Sequence, residues 1–393
     1  MTELKASSVP EGRMPRRLIQ LVPRFRPDVD GVGECALNLG DAFLKGYGIP
    51  SDFIAYNPPR PESTLQVPDP FPHTLQRLRG GLAEPLNRTI EALIAGSSEP
   101  PVLLLHYVSY GYSRNGIPWW LNGVVDRFRE KGGRPVGLFH ELFATGKFPS
   151  RTFFTSWLQR RIFRRLLAQS EAAFTSNEAF LEQIASDNKR HRPVGLIGIC
   201  SNVGEPEYPR PLASRRRRMA IFGQFLTRKS VYSRYLPMLQ KVTDHLEIEE
   251  IADIGPVDEP DWMDQNVYRP LGSLVHGYGT LTAAATSALL EDSILGVLPY
   301  RYALRWKSGI FAAYQAHAMA ILLFPHHKDE VEPEPRERGD WCYSADQLLA
   351  LALGSLDAMQ SSATAGHQHY QRFRSSRLMA ATILPILIEK KCE

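Results

Sequence analysis

A group of cations and a Ser-Gly pair stand at the start of an apolar stretch in the second half of this 393-residue chain. The stretch reads RYALRWKSGIFAAYQAHAMA, and its polar candidates are Arg305, Lys307, Ser308 and Gly309. The first N–H groups of a helix have no partners within the helix and carry the positive end of its dipole, so such a start can hold a diphosphate. No acidic residue occurs from Ser293 to Lys328, so nothing there would repel an anion or hold a cation that needs carboxylates. The alternative is an ordinary buried helix with a basic flank.

Candidate acid–base residues follow apolar runs in the first half. His140 ends the run in GLFHELFATG and is followed by Glu141. Asp30 precedes the turn GVG, in which Gly33 would let backbone N–H groups approach a ligand. The alternative is a plain tight turn without a ligand. A histidine at a strand end can donate to a sugar hydroxyl, accept a proton from one, or satisfy a backbone carbonyl. His140, Asp30 and Glu141 are therefore alternative bases.

Two further loops carry residue types suited to binding. His106, Tyr107 and Tyr110 belong to an aromatic loop of the kind that stacks on sugar rings or packs between domains. Arg228 and Lys229 follow the first apolar run of the second half, where both could reach phosphates, since arginine binds phosphate as a fork and lysine as a point charge. The alternative for this second loop is a solvated basic segment.

Short apolar runs alternate with helical periods along the chain. This alternation predicts parallel sheets covered by helices on both faces, with ligands outside the carboxyl ends of the strands. The predicted strands are 18–22, 51–56, 102–106, 136–139, 172–175 and 194–197, then 219–222, 248–253, 294–298 and 321–324. Residues 205–218 look like a linker, and helices are predicted over 34–45, 152–168, 345–359 and about 367–391. We therefore predict an α/β chain with domains over 1–205 and 206–365 and a C-terminal helix over 366–393.

Composition narrows the class of protein. Hydrophobic residues are 43% and charged residues 22%, which allows large cores and argues against long disorder. A net charge of +4 without an aromatic ladder among the basic residues does not predict nucleic-acid binding. The four cysteines are scattered without metal-ligand spacing, and no apolar stretch reaches the length of a membrane span. We expect a cytoplasmic protein without a bound metal.

These pieces together resemble the GT-B glycosyltransferases, which have two Rossmann-like domains and a catalytic cleft between them. The resemblance covers nearly the whole chain and lies in the glycine turn GVG, in GLFHELFATG, in IFGQFLTRKS, and in LLEDSILGVLPYRYALRWKSGIFAAYQAHAMAILLFP. It implies sugar transfer from a nucleotide-sugar donor, held mainly by the C-terminal half, to an acceptor held by the N-terminal half. It also implies a last helix that crosses back to the first domain.

The resemblance assigns roles to particular residues. His140 matches the donor-contacting or catalytic histidine, Arg228 and Lys229 match cations at the donor diphosphate, and His106, Tyr107 and Tyr110 fall on the acceptor side. The residues on the donor side are Gly33, Arg305, Lys307, Ser308 and Gly309. Two glutamates that many members carry near the donor helix are replaced by Arg305 or Trp306 and by Ala313 or Tyr314. An inactive scaffold that serves as an assembly partner is therefore an alternative function, and a nucleotide-sugar epimerase is another.

The expected reaction is a metal-independent hexosyl transfer, with cations stabilising the departing nucleoside diphosphate. The only co-substrate is the nucleotide sugar, and no other cofactor is expected. Inversion at the anomeric carbon would need one of the three bases, whereas retention would let the leaving phosphate take the proton, and the sequence leaves both open. The helix TFFTSWLQRRIFRRLLA carries aromatics and two arginine pairs, so it is either a structural helix or a peripheral contact with the inner face of the membrane that suits a glycolipid acceptor.

Overall fold

The computed structural model describes residues 13–28, 30–58, 72–78, 83–97, 99–144, 150–325 and 341–388. The predicted polar insert, Asp329–Asp340, lies outside the described residues, as does Cys392. Contacts within the chain divide it into two units. The first comprises residues 1–198 together with 376–393, and the second comprises residues 199–375.

The first unit contains a seven-stranded sheet in which all neighbouring strands are parallel, in the order β3-β2-β1-β4-β5-β6-β7. Its central strands are fully buried and mostly apolar, which is expected of a sheet covered on both faces. Its strands are β1 (Leu18–Val22), β2 (Ser51–Ala55), β3 (Thr74–Arg77), β4 (Val102–Tyr107), β5 (Arg134–Phe139), β6 (Ala172–Thr175) and β7 (Val194–Leu196).

Helices follow most of these strands and cover the sheet. The helices of this unit are α1 (Gly31–Tyr47), α2 (Ala83–Ala95), α3 (Ser109–Tyr112), α4 (Trp119–Glu130), α5 (Arg151–Gln169), α6 (Glu178–Asp187) and, last in the chain, α14 (Ser376–Leu387). Helix α14 packs against α1, and the Arg134 guanidinium donates to the carbonyls of Ile386 and Leu387 at 2.6 and 2.9 Å. These bonds satisfy carbonyl groups that have no partner within the helix. The last helix thus returns to the first sheet, as predicted.

The second unit contains a five-stranded parallel sheet in the order β10-β9-β8-β11-β12. Its strands are β8 (Arg216–Phe222), β9 (Glu250–Ile254), β10 (Val275–Gly279), β11 (Ser293–Pro299) and β12 (Ala320–Phe324). Its helices are α7 (Phe225–His245), α8 (Pro260–Met263), α9 (Arg269–Leu271), α10 (Ala283–Glu291), α11 (Gly309–Ala316), α12 (Ala345–Leu349) and α13 (Asp357–Phe373). A 3₁₀ turn over Tyr302–Lys307 leads into α11. Two wound parallel sheets confirm the predicted α/β fold class.

Several predicted elements have different limits in the structure. Residues 205–218 are not only a linker, because β8 begins at Arg216 and Arg218 is buried between Glu250 and Asp292. The helix predicted over 345–359 is interrupted after α12, where Gly354 has φ of +64°. The helix predicted from residue 367 is likewise broken, since α13 ends at Phe373 and α14 begins two residues after Arg374.

Both sheets reverse strand order at one point, and that point locates the candidate sites. In the first unit the reversal lies between β1 and β4, and in the second it lies between β8 and β11. Open parallel sheets bind ligands outside the carboxyl ends of the strands at such switch points. The residues to consider are therefore those that follow β1, β4 and β5 in the first unit, and β8 and β11 in the second.

Candidate functional site

Four polar side chains are hydrogen-bonded in series across adjacent strands of the first sheet. The Gln20 Nε2 donates to Ser51 Oγ at 2.8 Å, and the Gln20 Oε1 lies 2.9 Å from His106 Nε2. His106 Nδ1 lies 3.2 Å from His140 Nε2, with the two ring planes only 14° apart. The four side chains come from consecutive neighbours in the sheet: β2 carries Ser51, β1 carries Gln20, β4 carries His106, and His140 directly follows β5. We call this series the histidine relay.

The direction of these hydrogen bonds fixes the tautomer of each ring. With the Gln20 amide nitrogen facing Ser51, its oxygen must accept, so His106 carries its proton on Nε2. His106 Nδ1 is then an acceptor, and the neutral His140 must donate to it from Nε2. This leaves a lone pair on His140 Nδ1, which has no hydrogen-bond partner among the described residues. The relay therefore presents an acceptor nitrogen at the carboxyl end of β5.

Burial keeps both rings neutral near pH 7. Desolvation lowers the pKa of His140 to about 4. Burial also lowers the pKa of His106 well below its ordinary value, and the neighbouring His140 lowers it further. Because His106 is 0% exposed while His140 is partly accessible, only His140 can meet a ligand. The prediction that His106 binds acceptor is thus corrected: its ring positions His140.

The glycine turn has a structural role in this fold. Asp30 is the N-cap of α1, and its carboxylate accepts from the Gly33 N–H at 2.8 Å. A Cβ at Gly33 would lie 2.5 Å from the Arg24 carbonyl oxygen, so glycine is required for a close approach of protein backbone. Asp28 forms an ion pair with Arg24 at 3.0 Å. Asp28 and Asp30 have Asp-x-Asp spacing, but both carboxylates are engaged by the protein in this way.

The remaining site residues predicted in the first unit differ in how far their side chains are exposed to solvent. The Tyr107 ring is 0% exposed and packs edge-on against Phe139 at a centroid distance of 5.7 Å, so it is a core residue rather than an acceptor contact. Tyr110 is 45% exposed, and Glu141 is exposed beside His140. Tyr110 and Glu141 are therefore placed where a ligand can reach them.

Arg228 is a buried structural residue in the second unit. It is 0% exposed and forms an ion pair with Asp253. It also donates to the carbonyls of Gly223, at 3.0 Å, and of Pro256. The other Asp253 oxygen accepts from the Tyr232 hydroxyl at 2.8 Å. Because these protein groups engage the Arg228 guanidinium and the side chain is closed to solvent, its prediction as a diphosphate ligand is corrected.

Lys229 differs from its neighbour. Its ammonium group lies 2.6 Å from a Glu259 carboxylate oxygen and 4.8 Å from the centroid of the Trp262 ring. The side chain is 26% exposed, so an ion pair of this kind exchanges readily with solvent or with another anion. Lys229 stays a candidate donor contact.

The start of α11 is built as a capped turn. Ser308 is the N-cap, and its hydroxyl accepts from the Phe311 N–H at 3.2 Å. Gly309 and Lys307 beside it are partly accessible. The helix that follows is only eight residues long, and most of it is buried. Arg305 is 6% exposed, and its guanidinium carbon lies 3.7 Å from the centroid of the Tyr302 ring.

Sequence reasoning missed three residues that the structure joins to these sites. Gln20 is a polar residue inside the otherwise apolar run LIQLV, and a buried glutamine needs partners, so this was a readable signal. Ser51 gave no such signal. Arg374 interrupts a helical stretch and is 3% exposed, which no local pattern in the sequence indicates.

Among the described residues, no group of three or more His, Cys, Asp or Glu side chains is arranged to hold a metal ion. Within the same part of the chain, no helix is both long enough and apolar enough to cross a membrane.

Comparison with solved structures identifies the fold. A protein from Listeria monocytogenes assigned as a UDP-N-acetylglucosamine 2-epimerase is 13% identical with a TM-score of 0.59, and the match covers 94% of this chain and 96% of that one. A glycosyltransferase from Rickettsia africae is 12% identical with a TM-score of 0.57, covering 94% and 97%. S. aureus MnaA, solved with UDP, is 10% identical with a TM-score of 0.51, covering 96% and 99%. No protein-family model and no curated protein matches.

The class of protein follows from these matches and from the two wound sheets. The chain has the GT-B fold, the fold of nucleotide-sugar glycosyltransferases and of UDP-N-acetylglucosamine 2-epimerases. The resemblance predicted from sequence is therefore confirmed at the level of fold. Identities of 10 to 13% establish the architecture, and the activity has to be argued from the site.

Proposed function

We propose that this chain transfers a sugar from a nucleoside-diphosphate sugar to an acceptor hydroxyl, and that His140 Nδ1 takes the proton of that hydroxyl. The observation that carries the proposal is the histidine relay, which leaves one neutral, partly accessible nitrogen at the ligand-binding edge of the first sheet without a partner among the described residues. A general base must present a lone pair at the working pH, and the lowered pKa of His140 keeps it unprotonated.

We assign the two ligands to different units. The first unit binds the acceptor, with Tyr110 exposed on α3, the helix that follows β4. The second unit binds the donor through Lys307 and the first turn of α11. Charge on the departing diphosphate is balanced by cations of the chain, without a metal. The ion pair of Asp28 with Arg24 and the hydrogen bond of Asp30 to the Gly33 N–H support this, since both carboxylates have partners in the protein. The nucleotide sugar is the only co-substrate in this proposal.

Binding of one nucleoside diphosphate is the first expected result. UDP is the first member of the panel to test, because S. aureus MnaA was solved with it. We expect one nucleotide to raise the melting temperature of the protein saturably. We expect Lys307→Ala to lower the affinity for that nucleotide about 10-fold, since a charge-assisted contact to phosphate contributes roughly 1.5 kcal/mol or more. The measurement is thermal unfolding over a titration of UDP, GDP, ADP and TDP. A folded sample that responds to none of them would remove the proposal.

The products of turnover separate the competing functions. The protein is incubated with the nucleotide sugar that binds, and the products are followed by proton NMR. When the sugar is released to water or to an acceptor, its anomeric proton loses the coupling to phosphorus. Inversion at a sugar ring carbon without an acceptor would instead identify an epimerase, the activity assigned to the Listeria protein. Tight binding with no change in the donor would identify an inactive scaffold that serves as an assembly partner.

We also propose that the acceptor is a carbohydrate or glycolipid reached at the inner face of the membrane, with α5 as the peripheral contact. Phe153 and Trp157 are 43% and 63% exposed one helical turn apart, and Arg161 lies beside the Trp157 ring. Exposed aromatics with a neighbouring cation are suited to an anionic lipid surface.

Binding to lipid vesicles tests this contact. We expect the chain to sediment with vesicles of equal parts phosphatidylcholine and phosphatidylglycerol, and Phe153→Ala with Trp157→Ala to abolish most of this binding. Tyr208→Ala is the matched control, because Tyr208 is 86% exposed in the other unit. Equal sedimentation of the wild type and the α5 double variant would exclude α5 as the contact.

A further inference from the structure

Two guanidinium groups lie buried against one indole ring in the second unit. Arg305 is 6% exposed, and its guanidinium carbon lies 4.2 Å from the centroid of the Trp306 ring. Arg374 is 3% exposed, and its guanidinium carbon lies 5.5 Å from the same centroid. In the described part of the chain, which omits residues 326–340, neither arginine forms an ion pair with a carboxylate. We call these two side chains and their neighbours the Arg305–Arg374 cluster.

The protein satisfies these two cations only in part. Arg374 donates to Gln315 Oε1 at 3.0 Å and to the Trp306 carbonyl at 2.8 Å. Arg305 donates to the Tyr302 carbonyl at 2.7 Å, whereas its Nε is buried and has no partner among the described residues. Neutral carbonyls and aromatic faces stabilise a guanidinium less than an anion does, and an unpaired buried charge is costly. The cluster thus holds an excess of positive charge.

Three more polar groups of the cluster have no hydrogen-bond partner in the part of the chain that the structure describes. The Trp341 indole N–H and the Gln315 Nε2 are buried and have no hydrogen-bond partner among the described residues, and each of these groups can only donate. His369 Nδ1 is also buried and has no partner in the described part of the chain, and the centroid of its ring lies 4.6 Å from that of Trp341 and 5.0 Å from that of Trp306. Burial, together with the charges of Arg374 and Arg305, lowers the pKa of His369 to about 4. A neutral imidazole can still donate one N–H to an incoming acceptor.

We propose that the Arg305–Arg374 cluster binds a phosphoryl oxyanion. An anion is the one kind of ligand that would pair two buried guanidiniums and accept from the indole and amide N–H groups at the same time. Arginine suits phosphate oxygens because its planar donors can bind two of them together. One part of the cluster, Trp306, comes two residues before Ser308, the N-cap of α11, in the segment after β11.

The phosphoryl group has two conceivable sources. One is the diphosphate of the nucleotide-sugar donor, and this case rests on the proposed function. The other is free phosphate or pyrophosphate, and this case is independent of it. The shared chemistry is an oxyanion that accepts several hydrogen bonds, and the two sources differ in whether UDP competes for the cluster.

Calorimetric titration of the full chain with inorganic pyrophosphate and, separately, with UDP tests the proposal. We expect saturable binding of at least one of them, and a 10- to 100-fold weaker affinity in Arg305→Met and in Arg374→Met, since each loses charge-assisted hydrogen bonds (about 1.5 to 3 kcal/mol each). Arg269→Met is the matched control, because Arg269 is an exposed cation of the same unit, and it should bind as the wild type does. Chloride at equal ionic strength controls for general screening.

Trp341→Phe provides a second variant in case an arginine variant does not fold. It keeps an aromatic ring at this position while it removes the indole N–H and the second ring of the indole, and the folded variant should bind the anion several-fold more weakly. If UDP displaces pyrophosphate, the phosphoryl group that the cluster binds belongs to the nucleotide-sugar donor. If pyrophosphate still binds in the presence of saturating UDP, the ligand of the cluster is a separate anion. Wild-type affinity in all folded variants, or no binding of either ligand to the wild type, would overturn the site. Intact pyrophosphate binding without any sugar turnover would instead count against the proposed transfer alone.

Discussion

Replacing His140 with alanine is expected to lower the rate of sugar transfer by about 100- to 10,000-fold, the range typical of a lost general base. The reason is the geometry of the histidine relay, in which His106 accepts from His140 Nε2 and so leaves the lone pair on Nδ1. Donor affinity should be unchanged, because the proposed donor contacts lie in the other unit. The measurement is kcat and KM for the donor that binds, with nucleotide affinity followed separately by thermal unfolding.

The pH dependence gives this prediction a sharper readout. A base acts only when unprotonated, so kcat/KM should fall as the pH drops through the pKa of His140 in the free protein. That pKa is lowered to about 4 by burial, so the acidic limb should lie well below the ordinary histidine value of about 6.5. Nitrogen-15 NMR of the free protein should also show the His140 proton on Nε2.

Two matched controls separate His140 from the alternative bases. Asp30→Asn keeps a side chain that caps helices while removing the carboxylate, and Glu141→Gln removes an exposed carboxylate beside His140. Both are expected to retain activity within a few-fold. A large loss in either variant, together with a mild effect of His140→Ala, would move the base to that carboxylate.

The fold could be predicted from the sequence because the pattern that indicates each strand lies within a few consecutive residues. Apolar runs such as those of β1 and β6 are bounded by turn residues, and the predicted limits of these two strands agree with the structure. Strand β10 was missed because its sequence VHGYG carries two glycines and little apolar character. Its pairing comes from the neighbouring strand β9, which a window of local sequence does not contain.

The candidate sites were predictable only in part because they depend on strand order. His140 was found because a histidine directly follows an apolar run. Its tautomer depends on His106 and Gln20, which are 34 and 120 residues away in the chain and become neighbours only through the order of β1, β4 and β5. For the same reason Arg228 looked like a phosphate ligand, since its carboxylate, Asp253, lies 25 residues on at the end of β9.

Arg228→Met is expected to destabilise the second unit by about 3 to 5 kcal/mol, because removing one partner of a buried ion pair leaves the other charge uncompensated. Asp253 would then be buried without its cation. Burial raises the pKa of Asp253 and Arg228 lowers it, so without Arg228 the pKa should rise further and the carboxyl group should take up a proton. The measurement is the free energy of unfolding from denaturant titration, followed by a probe in this unit.

A phosphate ligand and a structural ion pair make opposite predictions for this residue. If Arg228 bound the donor, its replacement would weaken nucleotide binding and leave the free protein's stability nearly unchanged. If it holds the turns after β8 and β9 together, stability falls first, and the double variant Arg228→Met with Asp253→Leu should recover part of the loss because no buried charge remains. Lys229→Met is the stability control, since its ion pair is partly exposed and should contribute no more than about 1 kcal/mol. Equal, small effects of Arg228→Met and Lys229→Met would show that the buried pair does not stabilise this unit, and would return Arg228 to the candidate donor contacts.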